Sequence, residues 1–101
     1  GNTPLHIAVK SEYMQVIETL LEHNADVDST NQWNRTPLHF SAEQGNEIIT
    51  EMLLNKGANV NAKQDGLTPL YKAIEGNHIN VVQVLLEHGA HLDCIFINKL
   101  T

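Results

Sequence analysis

Four potential zinc ligands fall within the seven residues His88-Gly89-Ala90-His91-Leu92-Asp93-Cys94, and imidazole, carboxylate and thiolate are the donors that a structural zinc site uses. Their spacing matches no closed tetrahedral site, and no metal or other cofactor is expected there. The remaining catalytic patterns fail on residue type. No serine stands in a glycine-rich elbow, no paired acids share an identifiable pocket, and no phosphate-cradling glycine loop follows a strand. An enzyme is not expected. The residues with binding chemistry and no evident structural duty are Trp33 and Arg35, an indole and a guanidinium flanking one turn, the pair of types that dominates interface hot spots. The alternative is that Trp33 lies against a neighbouring turn and shields it.

The elements that would position these residues come from internal repetition. Thr3-Pro4-Leu5-His6 recurs as Thr36-Pro37-Leu38-His39 and, nearly, as Thr68-Pro69-Leu70-Tyr71, at spacings of 33 and 32 residues. A period of that length marks one supersecondary unit stacked several times, each copy too small to bury its own apolar face. Thr before Pro reads as a helix N-cap followed by the first helical position, so Thr3, Thr36 and Thr68 are predicted caps. The first helix of each copy is short, spanning roughly 37–44 in the middle one, with Gly45-Asn46, Gly76-Asn77 and, in the first copy, Glu12-Tyr13 ending it. A second helix follows. Its apolar residues at Val16, Ile17, Leu20 and Leu21 form two adjacent rows on one face, with Gln15, Glu18 and Glu22 opposite. Leu20, Leu53 and Leu85 share a core row, and the central Leu53 is expected to matter most. Gly57, Gly89 and Asn24 can take the left-handed conformation that terminates a helix. His23 and His88 sit near these helix ends, where a protonated imidazole complements the dipole. Polar stretches 29–35 and 62–67 then form turns.

With Thr-Pro-Leu-His, Val-Ile-Glu-Thr-Leu-Leu and Gly-Ala-Asn-Val-Asn in register three times, the chain resembles an ankyrin-repeat array over essentially all 101 residues. The resemblance implies an all-α repeat solenoid, a stack of helix-turn-helix units with projecting β-hairpin or turn fingers. It implies repeats at approximately 1–33, 34–65 and 66–98, with a further repeat starting at 99–101. It also assigns His6 and His39 a structural role, linking adjacent finger turns through hydrogen bonds. Ile7 and Phe40 are expected in the core and Tyr13 as a surface cover. Asn61 is expected to bridge finger backbone groups; in metazoan arrays the matching Asn is also a target of the asparaginyl hydroxylase that acts on hypoxia-inducible factor.

What the repeat leaves variable is the fingers and the solvent side of the inner helices, which in this family form a concave recognition surface. The residues so implicated are Gln32, Trp33 and Arg35, then Gln64 and Leu67 with Asp65 between them, and Lys10, Ser11, Glu43, Gln44 and Glu75. The expected function is a non-catalytic protein–protein interaction module whose partner is another protein; the alternative is an architectural spacer within a longer solenoid. The net charge of −6, without a basic stripe, argues against nucleic acid as a partner. No apolar run is long enough for direct membrane insertion. The lone Cys94 excludes an internal disulfide and fits a reducing, cytoplasmic compartment. Neither end carries the polar rewriting of a capping repeat, so the expectation is a segment of a longer array whose uncapped repeats offer a route to end-to-end self-association.

Overall fold

The computed structural model of the chain describes residues 1–92. Each copy contributes an inner and an outer helix: α1 (Pro4–Lys10) and α2 (Met14–Glu22), α3 (Pro37–Gln44) and α4 (Glu47–Asn55), α5 (Pro69–Glu75) and α6 (Ile79–Glu87). The inner helices pack side by side in the order α1, α3, α5, and α4 packs on α6. The result is an all-α stack. All three threonines cap as predicted, each side chain accepting the amide of the residue three positions on. In the first two copies that residue is a histidine, whose ring closes a capping box on the threonine amide; Tyr71 has no ring nitrogen, and the box is missing from the third.

The two apolar rows of the outer helices prove to be two separate seams. Val16 is 46% exposed, while the equivalent Ile49 and Val81 are at 0%; Leu20 is half-buried, while Leu53 and Leu85 are fully buried. This row faces the preceding copy. In the adjacent row the gradient reverses: Leu21 and Leu54 are buried and Leu86 is exposed, so that row faces the following copy. Two expectations are corrected by this geometry. Val16 is not core, and Leu85 is as deeply buried as Leu53 because it packs back onto the second copy. Ile7 is a third correction. It is 54% exposed although the equivalent Phe40 is buried, because Phe40 has a finger in front of it and the neighbouring copy beside it. Tyr13 is exposed, as a surface residue should be.

The interhelical turns need one left-handed residue each, supplied by Glu12 (φ 59°), Gly45 (φ 77°) and Asn77 (φ 59°). In the third copy it is therefore Asn77 and not Gly76 that turns the chain. Gly76 is kept small for another reason: a Cβ there would lie 2.5 Å from Nε2 of His78, and one on Gly45 would lie 2.4 Å from Nδ1 of the same ring. The His78 imidazole fills the space between two glycines of adjacent copies and bonds the Glu43 carbonyl at 2.9 Å.

The fingers take the turn form among the expected hairpin or turn projections. Among the described residues only one antiparallel bridge forms, Gln64 with Leu67, and the fingers are tight turns. At the helix ends, Asn24, Gly57 and Gly89 are all left-handed. His23 and His88 are the C-cap residues of α2 and α6. No group of three or more potential metal ligands forms among the described residues; Asp93 and Cys94 lie outside them, as does the predicted start of a further repeat. No described helix is long and apolar enough to cross a membrane.

Candidate partner-binding groove

The first finger is fixed from inside by Asn31. Its buried side chain accepts the amides of Trp33 (2.9 Å) and Arg35 (3.1 Å) and donates to Asn2 Oδ1 (2.9 Å). Asn34 takes the left-handed conformation (φ 61°) and Asn31 N–H bonds the Arg35 carbonyl at 3.1 Å, giving a three-residue loop. The second finger is one residue shorter and uses a different turn. Asp65 and Gly66 are both left-handed (φ 52° and 83°), and Gln64 and Leu67 exchange backbone bonds of 2.8 and 2.9 Å. That is the Asp-Gly two-residue turn matched to strand twist.

Imidazoles tie each finger to the helix of the preceding copy. His6 Nε2 bonds the Arg35 carbonyl at 2.8 Å and His39 Nε2 the Leu67 carbonyl at 3.1 Å. A carbonyl can only accept, so Nε2 carries the proton and Nδ1 is the acceptor. The Thr3 amide and hydroxyl accordingly donate to His6 Nδ1 (3.2 and 2.8 Å), and Thr36 does the same to His39 (3.1 and 2.9 Å). This is the structural role expected of the two residues. Burial lowers the His39 pKa from 6.5, against the Leu67 carbonyl, which raises it; the nearby charges of Arg35 and Lys72 lower it further. At the other end of each copy, Asp28 accepts the Asn59 amide at 2.8 Å and Asn61 accepts the His91 amide at 2.9 Å. Asn61 thus bridges finger backbone as expected.

Between fingers and inner helices lies a concavity of about 510 Å³ lined by Asn2, Lys10, Trp33, Arg35, Phe40, Glu43, Gln44 and Gln64. Six of the eleven residues singled out from the sequence come together there. Gln32, Ser11, Asp65, Leu67 and Glu75 are not among its lining. Gln32 and Ser11 are exposed beside it, Leu67 is half-buried with its carbonyl on His39, and Glu75 is exposed on α5. Asn2 and Phe40 were not singled out for the groove, and no local signal marked them: Phe40 reads as core from its repeat position, and Asn2 enters only through Asn31.

The groove is polar in an organised way. The Arg35 guanidinium lies over the Phe40 ring (4.3 Å to the centroid), and Phe40 stands edge-on to His6 at 5.6 Å. Arg35 Nη2 pairs with Glu43 Oε1 at 2.8 Å, and Lys72 Nζ stands 4.0 Å from Glu43 Oε2. Gln44 donates to the Lys10 carbonyl across the α1–α3 seam at 2.9 Å. Three buried side-chain atoms have no hydrogen-bond partner among the described residues: Arg35 Nε, Gln44 Oε1 and Gln64 Oε1. All three belong to residues lining this one concavity. Trp33 is 58% exposed at its edge. It is not part of the core, and no side-chain hydrogen bond holds it among the described residues.

The comparisons with known proteins agree with this architecture. A family profile described as ankyrin repeats (3 copies) matches residues 5–95. The chain is 36% identical over 99 residues to a putative ankyrin repeat protein of fowlpox virus, covering 92% of this chain and 29% of the viral protein. It is 34% identical over 98 residues to the probable 26S proteasome regulatory subunit p28 of Saccharomyces cerevisiae, covering 94% of this chain and 43% of the yeast protein. The B-cell lymphoma 3 protein homolog of Mus musculus is 31% identical over 99 residues, covering 92% and 22%. The chain thus spans less than half the length of these relatives.

Proposed function

This chain belongs to the ankyrin-repeat family, whose repeats generally mediate protein–protein interaction, and from that premise we propose that it is a non-catalytic recognition module taking a partner protein in the groove beside Trp33. One observation carries the reading. A large indole is held out on a turn whose backbone is immobilised by Asn31, at the edge of a concavity that gathers the three buried polar atoms lacking an intramolecular partner. Buried polar groups in folded proteins are normally paired. Three unpaired groups on side chains lining one concavity leave it short of internal partners, which favours an occupant that supplies them once the side chains turn.

The experiment is a selection of binders from a displayed protein library against the chain, followed by affinity measurements on Trp33→Ala and Arg35→Ala. Loss on the order of 2 kcal/mol at either residue is the expected hot-spot result. Binders that select and bind equally well without both side chains would remove the groove from the account. A second reading, an architectural spacer, is favoured by the exposed seam residues: Ile7 and Val16 at one end, Ile74, Ile79 and Leu86 at the other. Such a spacer would return no Trp33-dependent binder.

A further inference from the structure

We propose that the groove takes an extended, acidic peptide segment of the partner, with one carboxylate side chain seated at Lys10 beside the Trp33 indole. The proposal rests on the recognition reading above and adds the chemistry of what is recognised. Charge supplies the first argument. The chain carries a net −6, yet the side chains lining the concavity include two cations, Lys10 and Arg35, against one carboxylate, Glu43, which Lys72 also approaches. Glu43 already faces Arg35 and Lys72. Lys10 has no carboxylate partner among the described residues. The acids of α2, α4 and α6 project from the outer helices, and screening over roughly 8–10 Å at physiological salt reduces their effect on the groove.

The polarity also runs along the stack. Lys10 stands toward the first copy without a carboxylate, whereas toward the third Lys72 already faces Glu43 and the exposed Lys63 is outnumbered by the exposed Asp65 and Glu75. A carboxylate is therefore favoured at the Lys10 end, where the Trp33 indole N–H is a further donor. The second argument concerns conformation. The Gln64 side-chain amide lines the groove with its Oε1 buried and unpaired, and a primary amide carries both donors and an acceptor. An extended backbone offers alternating N–H and C=O groups to match both kinds, while a helix has already used its own. The terminal amide torsion of Gln64 is broad enough to bring that oxygen out to an occupant.

The test uses a positional-scanning library of nonapeptides, with the fluorescence of Trp33, the single tryptophan, as a direct report of occupancy. Enrichment of Asp or Glu at one position is expected. Lys10→Glu should then weaken the selected peptide about ten-fold or more, while Lys56→Glu, which changes net charge equally from the end of α4, should leave affinity within about two-fold. Peptides that perturb Trp33 but carry neutral or basic residues throughout would overturn the carboxylate assignment and leave groove recognition standing. Peptides that bind without perturbing Trp33, or no enrichment at all, would sink both. A single-stranded oligonucleotide or a phosphatidylserine vesicle with the same Lys10 dependence would overturn the peptide assignment in favour of a generic anion site.

Discussion

The two-seam arrangement of the outer helices makes a prediction with an internal control. In the row facing the preceding copy, Leu53 and Leu85 are fully buried and Leu20 is only half-buried. In the row facing the following copy, Leu21 and Leu54 are each 7% exposed and Leu86 is 39% exposed. A buried Leu→Ala change removes transfer energy and leaves a cavity, costing about 2–5 kcal/mol. Leu53→Ala and Leu85→Ala should therefore cost about 4 kcal/mol, and Leu20→Ala about half as much or less. For the second row the order inverts: Leu21→Ala and Leu54→Ala about 3 kcal/mol, Leu86→Ala about 1. Against a total of about 5–15 kcal/mol for a small domain, the larger losses should unfold a visible fraction of the 101-residue chain. Urea unfolding of the six variants gives the totals, and amide exchange shows which copy opens. The cheap position must lie in the first copy for one row and in the third for the other. A common profile for both rows, with the middle copy costliest each time, would refute the seam argument.

Further outcomes follow from single contacts. Replacing His39 by Leu strands the buried Thr36 amide, and removes one of the two bonds to the Leu67 carbonyl, for a loss of about 3 kcal/mol in urea melts; His6→Leu should cost less, because Thr3 is only half-buried. The folded-state His39 pKa is lowered, so just below 6.5 the unfolded chain binds the extra proton; stability should fall on acidification from about pH 6.5 and level off below the folded value. His39→Leu should lose that part of the pH dependence, and an unchanged profile would contradict it. Gly76→Ala should destabilise by about 1–3 kcal/mol through collision with His78, and His78→Ala in the same chain should recover much of this. Gly66→Ala meets no neighbouring atom and should cost about 1 kcal/mol from its left-handed backbone alone, with no rescue at any other position.

Much of the fold was legible because it is written in local chemistry. Threonine before proline caps a helix whatever surrounds it, and both halves of the His6 and His39 role repeat with the motif. What one copy cannot reveal is which neighbour covers it. Ile7 and Phe40 occupy the same repeat position, and only the finger carrying Arg35, placed over Phe40, separates an exposed isoleucine from a buried phenylalanine. Val16 differs from Ile49 and Val81 for the same reason: no preceding copy among the described residues covers it. The groove was legible as a set of variable positions, but the Arg35–Glu43 pair and the reach of Gln44 to the Lys10 carbonyl join residues on different elements. Gly76 illustrates a subtler limit. A glycine at a helix end suggests a left-handed turn, whereas this one is dictated by the ring of a residue two positions on.

The unequal fingers carry a consequence for slippage. A stack with identical units would offer a repetitive ligand the same footing after a translation by one repeat, and the complex could shuttle between shifted alignments. Here a three-residue loop with its indole is followed by a two-residue Asp-Gly turn. Sliding one unit along the inner helices would exchange Trp33 and Arg35 for an acidic tip and a leucine. Under the proposed groove recognition, the single-residue difference in loop length would act as an index mark, making the footings at the two described fingers unequal.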